Sequence, residues 1–201
     1  MKSAARVVVI GGGVVGCSVL YHLTKAGWKD VVLVERDRLT SGSTWHAAGG
    51  FHTLNGDPNV AKLQGYTIGL YNELEEISGE SCGLHRSGGL ILADSPERLE
   101  WLKMAHARAR YLGLETEMLT MAEAKKLHPM LEEQYFVGAM LDAADGNLDP
   151  NGTTNAYAKS ARINGAEANE GTPPPVPRAM RSGDEKWRSA SQTASQPVRS
   201  A

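Results

Sequence analysis

A chain of 201 residues and 21.6 kDa is long enough to bury a sizeable core, and 41% hydrophobic with 22% charged residues is the composition of an ordinary globular protein. A net charge of -2 and a mean hydropathy of -0.32 argue against broad phosphate neutralisation of nucleic acid, and no apolar run reaches the length of a membrane span. With only Cys17 and Cys82, neither a disulfide framework nor a cysteine-based metal motif is built, and the four apolar residues behind Lys2 and Arg6 are too few for an export signal, so a cytoplasmic protein is expected.

In chain order, residues 7–10 form a β-branched run of the buried-strand type, 14 to about 26 a helix, and 31–35 a second buried strand, which together make a βαβ unit. A loop rich in small residues runs from 36 to about 56. Val60, Leu63, Thr67, Leu70, Tyr71, Leu74 and Ile77 then recur at helical spacing, with Gly79 as the stop. Residues 84–93 read as strand material broken by Gly88 and Gly89. Ser95 caps and Pro96 opens a helix that ends near Gly113. Thr120 and Glu123 have capping-box spacing for a short helix that Pro129 terminates. Residues 136–141 are a strand candidate, and Asp149 and Pro150 start a helix that runs to about 163, with Gly165 at its exit.

The composition changes after residue 168. From 169 to 201 there is no Ile, Leu, Phe or Tyr, and five of the nine prolines fall there. Such a segment buries too little apolar surface to offset the entropy of ordering, so 1–168 is expected to be the folded domain and 169–201 a disordered Pro/Ser/Arg-rich tail.

Gly11, Gly13 and Gly16 fit G-x-G-x-x-G between a strand and a helix. The first glycine makes the turn, the second lets backbone approach a pyrophosphate, and the third allows close helix–strand packing. The helix N-terminus offers free N–H groups and the positive end of a dipole. Glu35 closes the second strand, where a carboxylate accepts hydrogen bonds from a ribose 2′-hydroxyl and repels a 2′-phosphate despite the neighbouring Arg36, which leaves NAD and FAD. In the following loop, the small residues around Trp45 and His46 suit a backbone lying against a flat ring, with Ser43 and Thr44 as donors to phosphate oxygens.

The glycine motif, Val-Val-Leu-Val-Glu-Arg at 31–36, Ser-Gly-Ser-Thr-Trp-His-Ala-Ala-Gly at 41–49 and Gly-Asn-Leu-Asp-Pro at 146–150 together resemble the dimethylglycine and sarcosine dehydrogenase branch of the D-amino-acid-oxidase-like FAD-dependent oxidoreductases, over about residues 5–168. The resemblance implies an α/β fold: a Rossmann-like FAD-binding βαβ domain with interleaved α+β substrate-domain strands, here truncated. It assigns Gly11, Gly13, Val14, Val15 and Gly16 to the pyrophosphate turn, and Glu35 and Arg36 to the adenosine ribose. Gly42, Ser43, Thr44, Trp45, His46, Ala47, Ala48, Gly49 and Gly50 line the pyrophosphate and flavin, with His46 bonded covalently to the 8α-methyl carbon of FAD. The implied reaction removes a hydride from the C–H bond beside the nitrogen of a small N-methylated amino acid and leaves an iminium that water or folate resolves. Folate, much of the substrate pocket and the catalytic residues belong to parts of the intact family enzyme beyond this chain. The tail departs from the family pattern after Ala168, as a frameshifted or spliced terminus would.

Two other readings accompany this one. A non-catalytic member of the same architecture, resembling the regulatory subunit of pyruvate dehydrogenase phosphatase, has less use for Trp45 and His46. A nicotinamide-dependent Rossmann protein has no role for the loop at 41–50. His85, His106 and His128 share no metal-ligand spacing, so no metal site is predicted. His22 reads as structural, His52 as loop surface, Cys17 as a buried packing residue, and Glu73, Glu75, Glu76 and Glu80 as a solvated helix face.

Overall fold

The structure of the chain, a computed structural model, describes residues 4–173. In chain order these form β1 (Val7–Ile10), α1 (Val14–Lys25), β2 (Val31–Val34), a 3-10 turn (Thr44–His46), β3 (Gly50–Phe51), α2 (Pro58–Ser78), β4 (Gly89–Ala93) and α3 (Pro96–Tyr111). There follow β5 (Thr116–Leu119), α4 (Met121–Leu127), a second 3-10 turn (Glu133–Tyr135), β6 (Gly138–Asp142), β7 (Gly146–Asn147), α5 (Pro150–Ile163) and β8 (Glu167–Asn169). The chain divides into two units. Of the described residues, the first holds 4–47, 74–82 and 150–173, and the second holds 48–73 and 83–149.

The first unit is built on a parallel sheet in the order β1-β2-β8, with Val7 opposite Val31 and Leu33 opposite Ala168. All four residues of β2 are buried, the pattern of a strand covered on both faces. Helices α1 and α5 pack together, Tyr21 meeting Tyr157 with ring centroids 5.7 Å apart. Ala156, Ala158 and Ala161 of α5 are fully buried, so this helix is covered through small side chains. Leu20 and Leu33 are completely enclosed, each contributing about 1.5–3 kcal/mol by burial.

Residues 169–173, expected in the disordered tail, belong to this unit. Asn169 ends β8, and Gly171 and Thr172 donate backbone bonds to Asp37 and Glu35. Their order comes from backbone pairing with β2 and the segment after it, which needs no apolar side chain and leaves no hydrophobic signature. The rest of the expected tail, 174–201, lies outside the described residues.

The second unit holds an antiparallel sheet in the order β4-β6-β5. One buried cluster joins Ala93, Leu102 and Met140 with Leu99 and Met118, and a second joins Ala124, Leu131 and Ala139 with Leu90, Leu92 and Phe136. Both α3 and α4 carry the expected caps: Ser95 Oγ accepts from the Arg98 N–H at 3.2 Å, and the Thr120 and Glu123 backbone N–H groups are bonded reciprocally by each other's side chains.

The same unit encloses two carboxyl groups that no motif announced. Asp142 is fully buried and Asp145 almost so. Asp142 accepts from the Thr53 hydroxyl at 2.5 Å and the Ala144 N–H at 3.0 Å, while Asp145 accepts from the Thr53 N–H at 2.9 Å. His52 Nδ1 lies 2.8 Å from the other Asp145 oxygen, so His52 is an exposed imidazole anchored at one nitrogen to a buried acid. Burial, outweighing the hydrogen bonds it accepts, pushes the Asp142 carboxyl above the usual carboxylate range, and the neighbouring Asp145 adds to the shift. A group whose pKa is raised on folding contributes stability below its unfolded pKa and loses it as pH rises through the folded pKa. Asp142→Asn keeps an oxygen for the Ala144 N–H and offers an amide to Asp145. The variant is expected to match the wild type below about pH 4 and to melt higher at pH 7–8, by about 2–4 °C. Thermal denaturation across that range checks this, and a lower Tm at pH 8 refutes it.

Candidate functional site

At the end of β1 the chain turns at Gly11, whose φ of +108° lies in the region that favours glycine. Its N–H donates to the Val34 carbonyl at 2.9 Å, so the turn is fixed to the end of β2. Gly16, inside α1, is required for a different reason: a Cβ there would lie 1.9 Å from the Gly11 carbonyl oxygen, so α1 approaches the turn only without a side chain at 16. Gly13 caps α1 without a side chain, and the Thr44 hydroxyl accepts from the Val14 N–H at 3.0 Å in its place. That hydroxyl keeps its own proton to donate elsewhere.

Glu35 follows β2. Its carboxylate accepts from the Gly12 N–H at 2.6 Å and the Asp37 N–H at 2.9 Å, and these backbone donors hold its pKa below the ordinary value. Cys17, one residue after Gly16, is completely buried, and burial pushes its thiol up to about 12, so it is a packing residue.

These elements enclose a cleft of about 580 Å³ within the first unit. Gly11, Gly13, Val14, Val15, Gly16, Glu35, Arg36, Gly42, Ser43 and Thr44 all line it. The cleft has the chemistry of a dinucleotide site. It is lined by backbone at a helix N-terminus with no acidic residue in the first turn, by the ionised Glu35 carboxylate with Arg36 and Asp37 beside it, and by the hydroxyl residues Ser41, Ser43 and Thr44. Nothing in this donor set conflicts with the ADP half of FAD.

The remaining sequence-predicted residues do not line this cleft. Trp45 and His46 complete the 3-10 turn with exposed side chains, their rings 4.3 Å apart and tilted by 42°. Ala47 donates back to Thr44, Ala48 follows, Gly49 has φ +75° and accepts from Leu148, and Gly50 pairs with Asn147. Sequence reasoning missed Asp37, Ser41 and the apolar wall of Val9, Ile10 and Val19. Val19 was legible, one helical turn beyond Val15; Asp37 and Ser41 carried no signal. It also missed Thr40, a β-branched residue at φ +69° whose N–H donates to the Gly12 carbonyl at 3.0 Å.

Other candidates have structural partners. His22 Nδ1 lies 2.7 Å from the Ser18 carbonyl oxygen, and its ring meets Tyr21 and Tyr157. The glutamates read as a solvated face divide: Glu75 accepts from the Cys82 N–H at 2.6 Å and Glu80 pairs with Lys159 at 2.7 Å, so both shape the turn after α2. Among the described residues, no group of three or more His, Cys, Asp and Glu is placed to hold a metal ion, and no helix is long and apolar enough to cross a membrane.

Comparison with known proteins gives a consistent result. The family model described as DAO, FAD dependent oxidoreductase, matches residues 6–194. This runs past 168, so the family pattern continues into the segment where the resemblance was expected to end. Human mitochondrial sarcosine dehydrogenase is 39% identical over 174 residues, covering 86% of this chain and 19% of the relative. Dimethylglycine dehydrogenase of Rattus norvegicus is 39% identical over 161 residues, covering 80% of the chain and 19% of the relative. The chain thus spans about a fifth of the length of these curated relatives. The crystal structure of L-proline dehydrogenase from P. horikoshii superposes with a TM-score of 0.78 at 28% identity, over 85% of this chain and 45% of that one.

Gly16→Ala tests the packing on which the cleft depends. The clash with the Gly11 carbonyl is with backbone, so the variant is expected to lose about 1–3 kcal/mol, read as a lower urea midpoint at unchanged m-value. An unchanged midpoint refutes the close approach.

Proposed function

The chain belongs to the FAD-dependent oxidoreductase family, and we propose that it forms the part holding the ADP half of FAD in an enzyme that oxidises a small N-methylated amino acid, such as dimethylglycine or sarcosine. The observation that carries this reading is the cleft itself. Glycine turn, helix N-terminus and Glu35 converge in one concavity, and the loop bearing Ser43 and Thr44 forms its wall. The nicotinamide reading shares the cleft but not the family.

In this reading Gly11, Gly13, Val14, Val15 and Gly16 form the pyrophosphate turn: the Gly11 and Val14 N–H groups, given to Val34 and Thr44, fix its shape, and the helix N-terminus faces the phosphates with its dipole, without a lysine or arginine. Glu35 accepts from the ribose hydroxyls with its remaining lone pairs, and Arg36 flanks the adenosine. Thr44, already accepting from the helix N-terminus, donates its proton to a phosphate oxygen. Its second role is to fix the 3-10 turn relative to α1, because its hydroxyl ties residue 44 to residue 14.

That turn presents His46, the residue proposed for the covalent link. Its imidazole is exposed, and a neutral imidazole nitrogen is a competent nucleophile at neutral pH. Trp45, Ala47, Ala48, Gly49 and Gly50, its neighbours in sequence, are proposed to line the flavin end. When bound, FAD supplies the electron sink that accepts a hydride from the C–H bond beside the amine nitrogen. No residue of this chain is assigned to proton transfer or to folate.

The test is to refold the chain with FAD, precipitate it in acid and examine the pellet for flavin fluorescence. The wild type is expected to retain fluorescence, and His46→Ala to lose it while still binding FAD reversibly before precipitation. A fluorescent His46→Ala pellet refutes the link at His46. Absence of any FAD-induced change in the native protein refutes the site.

A further inference from the structure

We propose that Glu170 is a positioning residue of the dinucleotide cleft, holding the segment 35–40 that forms its acidic wall. The proposal rests on the dinucleotide reading for its functional consequence, but its structural content stands on contacts within the first unit alone.

Four hydrogen bonds join residues 169–172 to the segment after β2. Three are between backbones: the Glu35 N–H to the Asn169 carbonyl at 2.9 Å, the Thr172 N–H to the Glu35 carbonyl at 2.7 Å, and the Gly171 N–H to the Asp37 carbonyl at 2.9 Å. Any sequence able to adopt this path supplies them. The fourth needs a particular side chain, because the Leu39 N–H donates to Glu170 Oε2 at 3.0 Å. Arg162 stands behind it, with Nη2 at 3.7 Å from Glu170 Oε1 and at 3.1 Å from the Ala168 carbonyl oxygen.

Leu39 is where such a bond has leverage. Its side chain is buried and lies over Gly12, where a Cβ would come within 2.7 Å of Leu39 Cδ2. The Gly12 N–H is one of the two backbone groups that hold the Glu35 carboxylate. The next residue, Thr40, is β-branched and sits at φ +69°, a conformation that persists only where its surroundings over-determine it. Two bonds do so. The Thr40 N–H is taken by the Gly12 carbonyl, and the preceding Leu39 N–H is taken by Glu170. Without the Glu170 acceptor, the Leu39 amide loses its partner beside a strained residue, and the wall carrying Glu35, Arg36 and Asp37 is released from one of its attachments. Ordering that wall again on binding would then draw on the affinity for the ligand.

The experiment compares the full chain with Glu170→Ala and Glu170→Gln. Hydrogen exchange is measured on peptides covering residues 36–41, and FAD and ADP are titrated calorimetrically. Glu170→Ala is expected to exchange faster over 36–41 and to bind FAD and ADP more weakly by the same factor, about tenfold, the scale of one charge-assisted hydrogen bond. Glu170→Gln is expected to restore most of both readouts, because its amide oxygen accepts from Leu39, although the bond is then neutral and the pair with Arg162 is gone. A general loss of stability would instead speed exchange throughout the chain. Unchanged exchange over 36–41 in Glu170→Ala overturns the proposal, as do wild-type affinities for FAD and ADP in that variant. If the wild type binds neither FAD nor ADP, the dinucleotide reading fails, and hydrogen exchange alone decides whether Glu170 holds the segment.

Discussion

The contact between Gly16 and the Gly11 carbonyl is the constraint on which the first unit depends. A helix beginning at Val14 has its N-terminal amides close to the end of β1 only if its third residue has no side chain. Once α1 sits there, its dipole points at the open end of the sheet, Cys17 is sealed beneath, and its buried side is free to pack on α5 through Tyr21. The cleft is what remains in front of that junction. Its character as an anion cradle is therefore a property of backbone geometry, with side chains setting only its flanks.

Those flanks are held by polar bonds across long sequence separations. Thr44 reaches Val14, Glu35 reaches Gly12, and Glu170 reaches Leu39 from 131 positions away. Each bond satisfies a backbone N–H that regular secondary structure leaves open, and each ties a loop to a rigid element. In the second unit, Asp145 does the same for the Thr53 N–H and anchors the His52 ring, while Asp142 takes the Thr53 hydroxyl, at the expense of burying acid. Loops, more than strands and helices, carry the individuality of this chain.

This division explains what could be read from the residues. β1, β2 and the five helices were legible, because β-branched runs, 3.6-residue periodicity, the Ser95 and Thr120 caps and the Pro150 start are local signals. β5 was missed: Thr116–Leu119 has only Met118 and Leu119 as apolar residues and gains its strand character by pairing with β6. β8 was missed for the same reason, since Glu167–Asn169 has no apolar run and is defined by β2. In the site, the glycine pattern and Glu35 were readable because each has one chemical job at a fixed spacing. The carboxylate pair of the second unit and Glu170 were not, because which buried amide an acid will find is settled by the folded chain.

β1 has a further consequence. It pairs with β2 on one side, and among the described residues nothing pairs with the other. The strand carries no charge, proline or bulge to blunt that edge, and Val8 is 37% exposed beside it. Four consecutive β-branched residues with open backbone groups form a template for a foreign strand. A chain of these residues handled alone is therefore a candidate for self-association through β1, and its solubility would be governed by whatever additional strand or partner occupies that edge.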